Sequence, residues 1–65
     1  MPKMTLKAAR VNTGLTQKEA AQKLGISNKT LWNWENGLSS PRAKQTEGIC
    51  KLYGISYDNL NFFNQ

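Results

Sequence analysis

Residues 16–37 read TQKEAAQKLGISNKTLWNWENG, and this stretch decides the fold of the chain. Thr16 and Glu19 have the spacing of a capping box, which satisfies free backbone N–H groups at the start of a helix. Gly25 favours a sharp turn, because glycine adopts positive φ angles without steric cost. Ser27 is a residue type that caps the start of a helix. The stretch therefore predicts a helix, a tight turn and a second helix.

The second helix of this pair has two chemically different sides. At about 100° per residue, Leu31, Trp34 and Glu35 share one side. The opposite side and its flanks hold Asn28, Lys29, Thr30, Trp32, Asn33 and Asn36. Amide and ammonium groups hydrogen-bond base edges and phosphates. A helix of this kind is suited to a groove of DNA.

The same stretch carries a family resemblance. The residues concerned are Gln17, Ala20, Ala21, Leu24, Gly25, Ile26, Ser27, Leu31 and the tetrapeptide Trp34-Glu35-Asn36-Gly37. From about Thr5 to about Leu60, the chain resembles the phage repressor and Cro-type regulators, the lambda-repressor-like or XRE family. The resemblance implies an all-α fold, a compact five-helix DNA-binding domain in which helices 2 and 3 form the helix-turn-helix.

We expect a single domain over residues 1–65, because a chain of 65 residues is close to the smallest size that one core supports. Thr5 predicts the start of a first helix. Pro41 predicts that a fourth helix begins at Arg42. Residues 1–4 are expected to fray. The predicted helices span roughly residues 5–13, 17–24, 28–36, 42–53 and 57–63.

The end of the chain repeats the cap pattern of the central stretch. Ser56 followed by Leu60 predicts the start of the fifth helix at Tyr57. Leu60 with Phe62 or Phe63 is expected to cover the bottom of the core. Any aromatic surface left over would favour association. A homodimer on DNA is therefore the expected assembly, with a larger protein that dimerises elsewhere as the alternative.

Composition excludes several functions and favours a polyanionic partner. Nine Lys and Arg against four Asp and Glu give a net charge of +5, which attracts nucleic acid. A lone Cys50 makes no internal disulfide, and a chain without His holds no Cys/His zinc site. We expect no enzymatic activity, catalytic residue, metal or cofactor, because no catalytic constellation is evident. With no signal peptide or membrane-spanning apolar run, we expect a cytoplasmic protein that makes no membrane contact.

Arg10 interrupts the thin apolar side of the first helix, which calls for a carboxylate partner. In the resembled family, an Arg of the first helix pairs with the Glu of the third, and Glu35 stands at the matching position. We therefore predict a structural ion pair between Arg10 and Glu35. It would orient the helices more than stabilise them, because desolvation offsets much of the attraction. The alternative is two surface charges that never meet.

The polar side of the third helix and the resemblance together give the candidate DNA contacts. The expected base contacts are Asn28, Lys29, Thr30, Trp32 and Asn33. The expected contacts to the DNA backbone are Gln17, Lys18, Ser27, Asn36, Arg42 and Lys44. Trp32 would pack on a thymine methyl or sugar, or crowd the groove and shift the docking, or instead pack against a neighbouring helix. Lys44 is equally compatible with a solvated surface charge.

The sequence thus predicts specific binding to double-stranded DNA. The expected protein is a transcriptional regulator, and more specifically a repressor, that reads an operator in the major groove with the helix over residues 28–36. The alternative is a protein-interaction or antitoxin-like module with weak or no specific DNA binding. An adaptor would be expected to expose apolar anchors where Lys29, Asn33 and Asn36 stand.

Overall fold

The structure is a computed structural model that describes residues 4–61. Its secondary structure is mostly helical, and the four α-helices of these residues begin and end within one residue of the predicted ranges. In chain order the elements are β1 (Met4–Thr5), α1 (Leu6–Thr13), α2 (Gln17–Leu24), α3 (Asn28–Glu35), α4 (Ala43–Tyr53), a 3-10 turn (Tyr57–Asn59) and β2 (Leu60–Asn61).

The helix-turn-helix is formed by local hydrogen bonds at its caps. Thr16 Oγ1 accepts from the Glu19 backbone N–H at 3.1 Å, and Glu19 Oε1 accepts from the Thr16 N–H at 2.9 Å. These bonds lower the pKa of the Glu19 carboxyl, because they favour its charged form. Gly25 ends α2 with φ of 73°, and Ser27 Oγ caps α3 by accepting from the Thr30 N–H at 3.0 Å.

The core lies where the four helices meet. Leu31 of α3 and Ile49 of α4 are fully buried at its centre. Ala20 and Ala21 are also buried, and their small side chains let α2 and α3 approach closely. The other buried apolar residues are Leu6, Ala9, Trp34, Tyr53 and Leu60. Val11 of α1 lies outside this core and is 59% exposed.

The prediction of a fifth helix over residues 57–63 is wrong for the residues that the structure describes. Tyr57–Asn59 form one 3-10 turn, and Leu60 is extended, with φ of −104° and ψ of 127°. A single turn does not nucleate a stable helix, whereas extended backbone lets Leu60 bury its side chain and pair with β1. Phe62 and Phe63 lie outside the described residues.

A second difference is the short parallel ladder between β1 and β2. Met4 pairs with Leu60, and Thr5 pairs with Asn61. Met4 was expected to fray, but its backbone belongs to this ladder. Two-residue strands carry no periodicity that a sequence pattern can reveal. Among residues 4–61, no helix has the length and apolar character needed to cross a membrane.

Candidate nucleic-acid interface

A buried ion pair joins α1 to α3 beneath the helix-turn-helix. Arg10 Nε donates to Glu35 Oε2 at 2.7 Å, and Arg10 Nη2 donates to Glu35 Oε1 at 3.3 Å. Arg10 Nη1 also donates to the Leu15 carbonyl at 2.9 Å. Both charged side chains are almost fully buried, with 10% of Arg10 and 3% of Glu35 exposed. The structure thus places the two predicted partners together, in a geometry that fixes α1 against α3.

Hydrogen bonds extend from this pair to the surface. Gln17 Nε2 donates to Glu35 Oε1 at 3.2 Å, and Asn28 Nδ2 donates to Gln17 Oε1 at 3.3 Å. Because a carboxylate only accepts, Gln17 must turn its amide nitrogen toward Glu35 and its oxygen toward Asn28. The first residue of α3 is therefore linked through the first residue of α2 to the buried pair.

The predicted base-contact residues differ in how much of each side chain is open. Asn28, Lys29 and Trp32 are exposed, with Trp32 at 46%, whereas Thr30 and Asn33 are only partly exposed. Three of these residues and Gln17 line an open cleft of about 460 Å³, which we call the base-side cleft: Gln17, Asn28, Lys29 and Trp32. This cleft combines a cation, two amides and an indole on one surface.

Two of the predicted DNA contacts, Ser27 and Asn36, already make hydrogen bonds at the ends of α3. Ser27 Oγ caps α3 and lies 2.8 Å from Thr30 Oγ1. Asn36 Nδ2 donates to the Trp32 carbonyl at 2.8 Å, at the end of α3. These side chains therefore offer DNA only the hydrogen-bonding groups that the caps leave over.

The remaining predicted backbone contacts are not all on one surface. Lys18, Arg42 and Lys44 are exposed. Arg42 precedes α4, where its backbone N–H is bonded by Gln45 Oε1 at 2.9 Å. Lys44 lines a different cleft, between α2 and α4, together with Lys23 and Leu24. The described structure thus joins Gln17 to the α3 residues and separates Lys44 from the base-side cleft.

Sequence reasoning missed the role of Gln17 as a link and the buried hydroxyl of Tyr53. The sequence predicted Gln17 only as a contact to a DNA phosphate. Its position at the start of α2 also places it close to the Glu35 carboxylate. Tyr53 Oη is buried and has no hydrogen-bond partner among residues 4–61. Burial raises the pKa of Tyr53 to about 12, and the nearby Glu35 charge adds to this effect. No sequence signal shows that a buried tyrosine hydroxyl will lack a hydrogen-bond partner.

The structure is that of a helix-turn-helix protein. Helices α2 and α3 are capped, a tight turn joins them, and the outer side of α3 is polar. A family model described as helix-turn-helix matches residues 6–60. The chain belongs to this family, which confirms the resemblance to repressor and Cro-type regulators.

Three relatives illustrate the range of the family. The HTH-type transcriptional regulator ImmR of Bacillus subtilis is 44% identical over 55 residues, which cover 85% of this chain and 43% of the relative. Antitoxin PezA of Streptococcus pneumoniae is 38% identical over 85% of this chain and 35% of its own length. The cryptic phage CTXphi transcriptional repressor RstR of Vibrio cholerae is 33% identical over 78% of this chain and 46% of its own.

The chain therefore spans less than half the length of these three relatives. No solved structure matches it.

Proposed function

We propose that this chain binds double-stranded DNA in a sequence-specific manner and regulates transcription, with α3 in the major groove. The observation that carries the proposal is the polar outer side of α3, whose inner side is held by the buried Arg10–Glu35 pair. A major groove admits one α-helix, and residues near the start of that helix reach the base edges. Similarity to named transcriptional regulators and repressors supports the same function.

Base readout is assigned to the exposed side of α3. Asn28 and Lys29 are at its start, and Asn33 follows about one turn later on the same helix. An amide suits adenine and an ammonium suits the acceptors of guanine. Trp32 would contact a thymine methyl or a sugar with its exposed ring, and Thr30 would add a contact at the edge of this surface.

Phosphate contacts are assigned to the residues around α3. Gln17 retains one amide N–H beyond its bond to Glu35, and Lys18 lies beside it at the start of α2. A helix N-terminus also attracts anionic oxygen. The remaining proposed contacts to the DNA backbone are Ser27, Asn36, Arg42 and Lys44.

The proposed regulator is a non-enzymatic cytoplasmic repressor that binds its operator as a homodimer. One domain covers few base pairs, so two copies on half-sites about 10 base pairs apart would bind more tightly than one. The three relatives described above extend well beyond the region matched here. Dimerisation through a further part of a longer protein is compatible with the same mode of DNA binding.

An antitoxin-like function is the second candidate, because one relative is named as an antitoxin. A protein-binding surface concentrates its affinity in buried aromatic and apolar anchors. On the exposed side of α3, Trp32 is the single large apolar residue, and its exposed neighbours Asn28, Lys29 and Asn36 are polar. This composition favours DNA over a protein partner at that surface.

Selection of bound duplexes from a random DNA pool at near-physiological salt tests the proposal. We expect enrichment of a two-fold symmetric motif, with half-sites about 10 base pairs apart. Enrichment of a single short motif would support sequence-specific DNA binding but contradict the proposed homodimer. No enrichment, at a salt concentration that weakens nonspecific charge attraction, would overturn DNA reading in favour of the protein-interaction function.

The combined variant Lys29→Ala and Asn33→Ala tests the assigned base contacts. We expect it to lose the selected motif while its melting temperature changes little, because both side chains lie on the outer side of α3. Lys51→Ala, at an exposed position in the last turn of α4, is the matched control and should keep the motif. A large fall in melting temperature for the double variant would assign these side chains to packing instead.

A further inference from the structure

The cleft between α2 and α4 shares no lining residue with the base-side cleft. We call it the α2–α4 cleft; its volume is about 290 Å³. Its apolar lining consists of a buried tryptophan and three partly buried aliphatic side chains: Trp34, Leu24, Ile26 and Leu52. An open apolar concavity of this kind is a feature of binding surfaces.

Gly48 of α4 also lines the cleft and leaves space in it. Outside its own helix, a Cβ added at this position would meet only Leu24 Cδ2, at the ordinary contact distance of 3.9 Å. The packing of α4 on α2 therefore does not require a residue without a side chain. Glycine within a helix is nevertheless less stable than alanine. A glycine that opens a cleft at the expense of helix stability indicates that the open space has a use.

The charges at the edge of the cleft are positive. Lys23, in the last turn of α2, and Lys44, at the start of α4, both line it and are exposed. Neither forms an ion pair within 4.0 Å with a carboxylate of residues 4–61. Glu47 of α4 lines the cleft on the other side of that helix. An anionic partner would therefore meet two lysines that no ion pair of the described chain occupies.

The size and chemistry of the cleft favour a protein segment over other anions. Small-molecule sites have volumes of about 300–1,000 Å³, and this cleft is at the lower limit, which suits one or two side chains. A DNA phosphate would bind the lysines but leave the apolar lining uncovered. A protein segment can supply both an apolar anchor and carboxylates. Anchors that fill pockets provide much of the affinity of a protein interface, and complementary charges add specificity.

We propose that the α2–α4 cleft binds an acidic segment of a partner protein. An apolar side chain of that segment would occupy the space at Gly48, and carboxylates beside it would pair with Lys23 and Lys44. Such a site is separate from the proposed DNA interface and does not depend on it. Lys44 is also among the proposed phosphate contacts, whereas Lys23 and Gly48 are not, so these two positions are the ones to substitute.

Selection from a library of random displayed peptides tests the proposal, with the unsubstituted chain as the target. We expect enrichment of peptides in which a large apolar residue stands between acidic residues. The affinity of a synthetic peptide of the enriched sequence is then measured by fluorescence anisotropy. Enrichment of no peptide, or of peptides without acidic residues, would overturn the proposal, whether or not the chain selects a DNA motif.

Two variants locate the bound peptide. Gly48→Leu should weaken binding at least about tenfold, because the added side chain fills the space for the apolar anchor. Lys23→Gln should weaken binding about two- to fivefold at low salt. At high salt, where surface charges are screened, the effect of Lys23→Gln should disappear and that of Gly48→Leu should remain. Unchanged affinity of either variant at low salt would overturn the proposal.

Matched controls are available on the other side of α4, where Ala43 and Lys51 line a different cleft. Ala43→Leu and Lys51→Gln should both bind the peptide as the unsubstituted chain does. If Gly48→Leu unfolds the domain by circular dichroism, Gly48→Ala supplies the test. Its added methyl group should weaken binding about threefold while the melting temperature rises. A weakening by Ala43→Leu equal to that by the Gly48 variant would contradict binding in the α2–α4 cleft.

Dodecanoate provides the comparison with a small amphiphilic anion. It carries an apolar chain and one carboxylate, so it can engage the apolar lining and only one of the two lysines. We expect it to displace the labelled peptide much more weakly than the same peptide without the label does. Equal displacement by dodecanoate would assign the cleft to a small amphiphilic anion and overturn the proposal of a protein partner.

Discussion

Arg10 and Glu35 illustrate how a buried charge pair can matter without adding much stability. Removing both ions from water costs several kcal/mol, which the short 2.7 Å contact and the bonds to Leu15 and Gln17 offset. The hydrogen bonds of the pair require a particular distance and angle between the two side chains, whereas an apolar contact is not directional. Its main effect is to hold α3 at one angle, with Gln17 in one orientation beside it.

A double-mutant cycle at this pair should separate the two effects. Glu35→Leu or Arg10→Met alone is expected to cost about 3–5 kcal/mol, because each leaves one buried charge without a partner. The double variant should be more stable than either single variant. Urea unfolding provides the measurement, with an osmolyte that favours the folded state for the weakest variants. Additive losses in the double variant would contradict a direct coupling of the two charges.

Tyr53 presents the opposite case, a buried polar atom with no partner among the described residues. A buried hydroxyl without a hydrogen bond costs free energy. Tyr53→Phe keeps the ring and removes the oxygen. We therefore expect unchanged stability or a gain of about 1 kcal/mol, measured by urea unfolding. A clear loss would show that the hydroxyl has a partner, such as an ordered water.

The same residue predicts a pH dependence. Burial raises the pKa of Tyr53 to about 12, above the ordinary value of 10. The neutral phenol is thus favoured in the folded state, and this contribution is complete below pH 10 and is lost as pH rises toward 12. In a Tyr57→Phe background, phenolate absorbance should develop at higher pH in the folded chain than in urea. Coincident titration curves would contradict the burial of this hydroxyl.

At the scale of elements, α4 contains a glycine that its geometry does not require. A methyl group added at Gly48 would meet Leu24 Cδ2 at 3.9 Å, which is an ordinary van der Waals distance. Glycine within a helix costs about 1 kcal/mol relative to alanine. We expect Gly48→Ala to stabilise the domain by about that amount in thermal or urea unfolding.

Gly54 provides the matched control for this prediction, because it ends α4 with a φ of 64°. Alanine is strained in that conformation. Gly54→Ala should therefore lower the melting temperature while Gly48→Ala raises it. A fall for both variants would mean that α4 packs against α2 more tightly than the 3.9 Å distance indicates.

The helices were predictable because their signals are local. Thr16 with Glu19, and glycines such as Gly25, act within one turn of the residues that they cap. The partners of Met4 and Gln17 depend instead on segments that meet only after folding. Leu60 shows the competition directly: its cap pattern favours a helix start, and pairing with Met4 gives an extended strand. Local propensity is a weak guide where such tertiary contacts compete with it.

For the molecule as a whole, Leu60 connects the end of the described chain to the core. It is 4% exposed, although it follows a 3-10 turn rather than lying in a helix. A small domain has only a few kcal/mol of net stability. Leu60→Ala is expected to remove about 2–4 kcal/mol and to leave a large unfolded fraction at 37 °C by circular dichroism.

Leu38 gives a matched control for this substitution, because its side chain is 68% exposed. Leu38→Ala should change the free energy of unfolding by no more than about 0.5 kcal/mol. Equal effects of the two substitutions would mean that the bottom of the core is closed by other residues.

The parallel ladder of β1 and β2 also determines how the domain would respond to mechanical force. Because Met4 pairs with Leu60 and Thr5 with Asn61 in the same direction, the chain enters at one end of the ladder and leaves at the other. Tension applied through the two ends slides the strands lengthwise and loads the evenly spaced hydrogen bonds together. An antiparallel pair in this place would instead unzip one bond at a time. We therefore expect a pulling force to load these two short strands in shear.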